Sequence, residues 1–194
     1  MAKKIMVLSG SPRKNGNTNT VVNGFAEGAR AAGAKVDLVD ITKLKSTHHG
    51  CIGCLGCQKS DKYECVVKDE VQPVLAKIPS MDIVVFATPT YFFGPSAQLK
   101  SMLDRMYSLI KFNTSKGGYD HKLGQVKFAV IATGGGGIKP GLRLIDDTFE
   151  VMSGFSGAEY ESFLVPNASM YNEDMKKDRG LQERAKAFGQ KLAS

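Results

Sequence analysis

Ile5-Met6-Val7-Leu8-Ser9-Gly10-Ser11-Pro12-Arg13-Lys14-Asn15-Gly16-Asn17-Thr18 is the stretch whose reading decides the fold. Ile5 to Leu8 form a short apolar run suited to a buried strand, and the run stops at Ser9. From Gly10 to Gly16 the residues are mostly small, polar or turn-forming. Asn17 and Thr18 are expected at the N-cap of a helix whose apolar residues, Val21, Val22, Phe25, Ala26 and Ala29, recur at helical spacing. A strand, such a loop and a helix start together make an anion cradle, because free N–H groups of the first turn and the helix macrodipole both point at the loop. Ser9, Ser11, Asn17 and Thr18 add neutral donors, and Arg13 adds charge.

Spacing selects the phosphate. Gly10 and Gly16 enclose one residue more than a nucleotide-triphosphate loop has, and Asn17 stands where that loop needs lysine. The glycines of a dinucleotide fingerprint are absent between them, and a phosphatase with a cysteine nucleophile is excluded because the loop has no Cys. A loop of hydroxyls and amides suits a terminal monophosphate.

The 194 residues fit one domain over 1–194, large enough to bury roughly 70% of its unfolded surface. No apolar stretch approaches the ~20 residues of a membrane span, so no membrane partner is expected. The N-terminal apolar residues are needed as the first strand, which predicts a cytoplasmic protein. The net charge of +7 comes from Lys and Arg placed singly or in pairs among Asp and Glu, so it predicts no nucleic-acid partner.

Strands near 4–9, 35–40, 83–87, 126–132 and 160–165 alternate with helices at 17–32, 69–77, from Pro95 to about 110, 138–152 and 173–192. Residues 111–124 read as an exposed excursion, and a long loop at about 42–68 holds every cysteine. This order predicts an α/β, doubly wound sandwich with a five-stranded parallel sheet. Ligands of such sheets bind beyond the carboxyl ends of the strands. After strand three comes a loop stiffened by Pro89 and Pro95, with Thr90 and three consecutive aromatics, Tyr91, Phe92 and Phe93, that cannot all be buried. After strand four comes Thr133 with Gly134, Gly135, Gly136 and Gly137, where backbone can approach a ligand closely. One phosphate loop, one aromatic loop and one backbone-rich loop describe an FMN site.

These motifs resemble the flavodoxin-like NADPH-dependent FMN reductases and their relatives, the iron–sulfur flavoproteins. The likeness rests on Gly10-Ser11-Pro12-Arg13 with Gly16-Asn17-Thr18, on Pro89 to Phe92 leading into Pro95 to Lys100 with Asp104-Arg105, and on Thr133-Gly134-Gly135. The resemblance implies a flavodoxin-like strand order 2-1-3-4-5. It also implies FMN held by Ser11, Arg13, Asn17 and Thr18 at the phosphate and by Pro89 to Phe92 and Thr133 to Gly136 around the ring. NAD(P)H or a ferredoxin-like donor as co-substrate, a small acceptor such as a flavin or quinone, and a homodimer or homotetramer follow from the same likeness. Tyr91 is the candidate catalytic residue, since a phenol beside a flavin can hydrogen-bond a substrate. An electron carrier of flavodoxin type is the alternative, and the positive charge favours the enzyme.

Cys51, Cys54, Cys57 and Cys65 have the spacing C-x2-C-x2-C-x7-C. Three thiolates at every third position with a fourth further on can wrap a cuboidal [4Fe–4S] cluster. Zinc and unmetallated thiols are the other readings of the same residues. The pattern resembles the compact cysteine motif of the iron–sulfur flavoproteins. Because the loop follows strand two, its tip is expected at the same sheet edge as the phosphate loop.

Overall fold

The computed structural model describes residues 2–112 and 117–194. Five parallel strands form the main sheet: β1 (Lys4–Ser9), β2 (Lys35–Asp40), β3 (Ile83–Tyr91), β4 (Lys127–Thr133) and β5 (Tyr160–Val165). Their spatial order is β2-β1-β3-β4-β5, which bears out the expected flavodoxin-like α/β sandwich. The helices are α1 (Asn17–Ala31), α2 (Val71–Lys77), α3 (Ala97–Arg105), α4 (Arg143–Phe155), α5 (Asn172–Lys177) and α6 (Arg179–Ala193).

Both faces of the sheet are covered, which explains why the central strands read as unbroken apolar runs. Along β1, Ile5 and Val7 join Val21 and Phe25 of α1 and Leu181 and Ala185 of α6 in one core. Met6 and Leu8 point the other way, into a second core with Leu75, Leu99, Met102, Ile145 and Phe149. Strand β2 is an edge strand, and its Leu38 is exposed. Register places Ser9 beside Ala87, Pro89 beside Thr133 and Thr133 beside Val165, so the loops after β1, β3, β4 and β5 leave from one edge.

Several boundaries differ from the sequence expectation. Gly16 is the N-cap of α1, and Asn17 and Thr18 lie in its first turn. Strand β3 extends to Tyr91 because Thr90 and Tyr91 pair antiparallel with Pro95 and Gly94 in a tight hairpin. Helix α3 begins after Ser96, whose hydroxyl caps the Leu99 N–H at 3.3 Å, and Ile110 belongs to a two-stranded ribbon, Ile110–Phe112 with Tyr119–His121, rather than to the helix. The rest of the expected 111–124 excursion lies partly outside the described residues. The segment 138–142 is a wide turn broken at Pro140 and Gly141, so α4 starts only at Arg143. The expected terminal helix is two helices, divided at Asp178, whose carboxylate caps the Leu181 N–H at 2.9 Å.

Helices α1 and α6 meet through glycines. A Cβ on Gly28 would lie 2.0 Å from the Lys186 carbonyl oxygen, and one on Gly189 would lie 2.0 Å from that of Phe25. Backbone on both sides cannot retreat as a side chain end can. Gly189→Ala is therefore expected to destabilise the fold by about 1–3 kcal/mol despite alanine's better helix propensity. A chemical denaturation midpoint equal to the parent's refutes this packing.

Candidate functional site

The phosphate loop is held from beneath. The Gly10 N–H donates to the Ala87 carbonyl at 2.8 Å, and the Ser96 hydroxyl donates to the Gly10 carbonyl at 2.7 Å. A Cβ on Gly10 would fall 2.7 Å from both Leu99 Cβ and Ser96 Oγ, so only glycine lets β1 turn against the start of α3. Within the loop the Gly16 N–H bonds the Arg13 carbonyl at 2.8 Å, and Asn19 Nδ2 donates to the carbonyls of Arg13 and Lys14. The first intrahelical bond of α1 is Thr20 N–H to Gly16 O, which leaves the preceding N–H groups outside the helical ladder and directed at the loop.

Some expected donors are engaged inside the protein. The Ser9 hydroxyl donates to Asn19 Oδ1 at 2.6 Å, and the hydroxyls of Thr18 and Thr133 share a hydrogen bond of 2.8 Å. Both residues are buried and tie the first loop to α1 and to β4. The buried Ser11 hydroxyl donates to the Arg13 carbonyl at 3.4 Å, a weak bond that leaves it the freer of the three.

A cleft opens at this edge. Its walls are Arg13 and Asn17 from the first loop, Pro89, Thr90 and Tyr91 from the second, and Thr133, Gly134 and Gly135 from the third. Eight of the predicted residues thus come together. Ser9, Ser11, Thr18, Phe92 and Gly136 are not among the walls. Phe92, at 97% exposure, tops the hairpin beside Phe93. Both adopt positive φ, 45° and 68°, a conformation costing a side-chain-bearing residue about 1–2 kcal/mol. They are the two central residues of a two-residue hairpin, a turn that needs positive φ at both positions.

The loop after β5 supplies walls that sequence reasoning missed: Ala168, Ser169 and Met170. It is stitched to the glycine loop by Asn167 N–H to Gly136 O and Ala168 N–H to Gly134 O, each 2.8 Å, and to α1 by Asn17 Nδ2 to the Ser169 carbonyl. The signal was available in Pro166-Asn167-Ala168-Ser169, a turn-forming tetrapeptide directly after a parallel strand.

Two buried polar atoms of cleft residues, Asn17 Oδ1 and Thr90 Oγ1, have no hydrogen-bond partner. Buried polar groups are ordinarily paired, so these two atoms are open to a partner in the cleft. Glycine at 134 keeps the wall thin, since a Cβ there would stand 3.0 Å from Thr90 Oγ1. The residues present fit a flat, phosphorylated molecule.

The four cysteines line a second cavity, with Gly50, Ile52, Gly53, Leu55, Val66, Val67, Arg105, Tyr107 and Ser108. Cys51 and Cys54 are exposed, and Cys57 and Cys65 are buried. Among the described residues, no three His, Cys, Asp or Glu side chains converge closely enough to hold a single metal ion. A cuboidal cluster asks something different, because each thiolate binds a separate iron and the sulfurs surround the group rather than meet at a point. Four cysteines around one largely apolar cavity fit that demand. The loop achieves this with glycines before three of its cysteines: Gly50 and Gly53 take positive φ, and Gly56 sits where a Cβ would meet Val66 Cγ2 at 2.6 Å. Cavity and cleft are lined by different residues, and the cavity is built on the C-terminal end of α3, the end remote from Ser96.

That end carries a buried ion pair. Arg105 bonds both oxygens of Asp69, at 2.6 and 3.0 Å, with each side chain 2% exposed. Asp69 also accepts from the N–H groups of Thr47, Val71 and Gln72. Burial opposes its charged form, but the Arg105 bond, these N–H groups and the guanidinium charge hold its carboxyl well below the usual carboxylate range.

Fold and cleft define an α/β protein with a cleft at the switch point of its β2-β1-β3-β4-β5 strand order. The chain belongs to the NADPH-dependent FMN reductase family, whose family model matches residues 3–170. An iron-sulfur flavoprotein of Methanocaldococcus jannaschii is 31% identical over 102 residues, 53% of this chain and 51% of that protein. A second from the same organism is 30% identical over 185 residues, 93% of this chain and 87% of the relative. The match thus spans about half the length of the first relative and most of the second. The structure of an NAD(P)H:quinone oxidoreductase from Methanothermobacter marburgensis superposes with a TM-score of 0.76, at 15% identity, over 99% of this chain and all of that one. At that identity the likeness is one of fold.

The ion pair makes a pH prediction. Since Asp69 is more acidic folded than unfolded, its contribution is complete above the ordinary carboxylate pKa of about 4 and is lost as pH falls through its depressed folded value. Arg105→Met strands the carboxylate and is expected to cost about 3–5 kcal/mol at pH 7. Protonation of the stranded group relieves that cost, so the difference from the parent should shrink below pH 4. Denaturant titrations showing a pH-independent difference contradict the assignment.

Proposed function

We propose that the protein is an FMN-dependent oxidoreductase that takes reducing equivalents from NAD(P)H or a ferredoxin-like donor and delivers them to a small acceptor such as a quinone or a flavin. The observation that carries this reading is the cleft between the first three carboxyl-edge loops, with its unpartnered Thr90 hydroxyl and Asn17 amide oxygen. Family membership supports it. Residues 1–194 act in this reading as one flavin-binding domain, and none of the described helices is long and apolar enough to cross a membrane.

FMN bound in the cleft supplies a ring that accepts a hydride or single electrons. The protein's residues bind, orient and shield. Arg13, exposed at the rim, pairs with the phosphate, and the first N–H groups of α1 and the Ser11 hydroxyl complete the anion site. Ser9 and Thr18 act from within, fixing the loop's shape through Asn19 and Thr133. Pro89, Thr90 and Tyr91 form one wall for the flat ring, and Thr133, Gly134 and Gly135 present backbone at its other edge, with Gly136 tying in the fourth loop. Tyr91, partly exposed at the cleft wall, hydrogen-bonds an incoming substrate through its phenol in this reading. Phe92 extends the aromatic surface outward at the mouth.

Cys51, Cys54, Cys57 and Cys65 are the ligands of a [4Fe–4S] cluster in this reading, which adds one-electron chemistry when present. Names of relatives support it. Self-association to a homodimer or homotetramer is supported by an apolar stripe on α4, where Leu144, Val151 and Phe155 are exposed at helical spacing.

Arg13→Ala removes a charge-assisted bond of about 1.5–3 kcal/mol, so FMN affinity should fall roughly ten- to hundred-fold with thermal stability unchanged. Fluorescence titration of apo-protein giving the parent's affinity removes Arg13 from the site. Anaerobic reconstitution with iron and sulfide should yield about four irons per chain, and the Cys51→Ser, Cys54→Ser, Cys57→Ser triple variant should lose nearly all of it. Equal iron in parent and variant ends the cluster reading.

A further inference from the structure

The two buried cysteines each receive one side-chain N–H: Gln58 Nε2 lies 3.5 Å from Cys57 Sγ, and Arg105 lies 3.5 Å from Cys65 Sγ. The second donor is a cation in an unusual setting. Arg105 is almost fully buried, its guanidinium lines the four-cysteine cavity, and its Nε–H is buried with no partner. Its remaining N–H groups reach the Val67 carbonyl, the Ser46 hydroxyl and both oxygens of Asp69.

Taking a charge out of water is costly, and a pair made only for stability is readily replaced by apolar residues of similar volume. Asp69 could be satisfied without a cation, since three backbone N–H groups already serve it. What a cation adds here is a positive charge fixed beside a sulfur. Four thiolates around a cluster carry net negative charge, which rises by one on reduction, and cluster potentials depend on net charge and on hydrogen bonds to the sulfurs. We infer that Arg105, held in place by Asp69, is a positioning residue of the four-cysteine centre that seats the Cys65 thiolate and offsets the cluster's negative charge, raising its reduction potential.

The same contacts explain how the loop is closed. Asp69 and Arg105 together grip Ser46 and Thr47 at the loop's entry and Cys65 and Val67 at its exit. The long cysteine loop is thereby sealed onto α3 by one buried pair.

The inference rests on the cluster reading, and the experiment separates the two. Parent and Arg105→Gln proteins, both with FMN, are reconstituted anaerobically with iron and sulfide and followed by redox titration with an electron paramagnetic resonance readout. Because Arg105→Gln alone strands Asp69, the paired Asp69→Asn, Arg105→Gln variant is measured beside it. Both should show a more negative cluster potential than the parent, the single variant more so, and Arg105→Lys, which keeps the charge, should lie closer to the parent. Iron should also be lost several-fold faster to a chelator from the two Gln variants. Faster iron loss with an unchanged potential in whichever Gln variants fold overturns the inference, since it leaves Arg105 a structural part only. Parent protein that binds no iron overturns the cluster reading and the inference with it. Unchanged FMN affinity in every variant is the control for an intact fold.

Discussion

Everything at the candidate site depends on how β1 ends. Gly10 is clamped from two sides, its N–H on the Ala87 carbonyl of β3 and its own carbonyl on the Ser96 hydroxyl that also caps α3. The absence of a side chain at residue 10 lets three elements meet within bonding distance, because any Cβ would collide with Leu99 and Ser96. The phosphate loop, the aromatic hairpin and α3 are consequently one rigid assembly. Its Ser96 is completely buried and its N–H is bonded to Thr88 Oγ1, so each polar group at this junction has a partner.

Given that junction, the cleft is built by register. Parallel pairing brings the ends of β1, β3, β4 and β5 to one edge, and the loops are then joined to each other rather than left to solvent. Thr18 bonds Thr133 across 115 residues of chain, and Asn17 reaches the Ser169 carbonyl across 152. Such bonds limit how far the walls of the cleft can drift. Phe92 and Phe93 stand exposed at the hairpin tip, outside this framework.

Much of this was legible in the sequence because the relevant signals are local. Buried parallel strands read as apolar runs, and the β1 loop with α1 behind it carries its own turn and helix chemistry. Sequence and structure part where a cap or breaker lies inside a periodic segment and where long-range contacts decide. Pro140-Gly141 is itself a local break signal within the apolar periodicity of 138–152: Gly141 takes φ 94° under Thr90, and α4 starts only at Arg143. The terminal helix looked continuous because Asp178 is a plausible helix residue until its carboxylate is seen capping the Leu181 N–H. Arg105 and Asp69 stand 36 residues apart, and no periodicity links them. The cysteine loop is anchored by the same pair, so its attachment to α3 is invisible to any local pattern.

The two candidate sites thus share a support rather than a wall. Helix α3 spans nine residues, on the order of 14 Å along its axis, with Ser96 fixing the β1–α1 loop at one end and Arg105 fixing the cysteine loop at the other. Leu99 and Met102 bury its inner face in the core, so the helix cannot slide relative to the sheet without opening that core. A change felt at Arg105 is therefore transmitted to the cleft, if at all, through a rigid helix and not through a flexible linker. Cleft and cysteine cavity are thereby held in a fixed relation by one buried helix, although they have no wall in common.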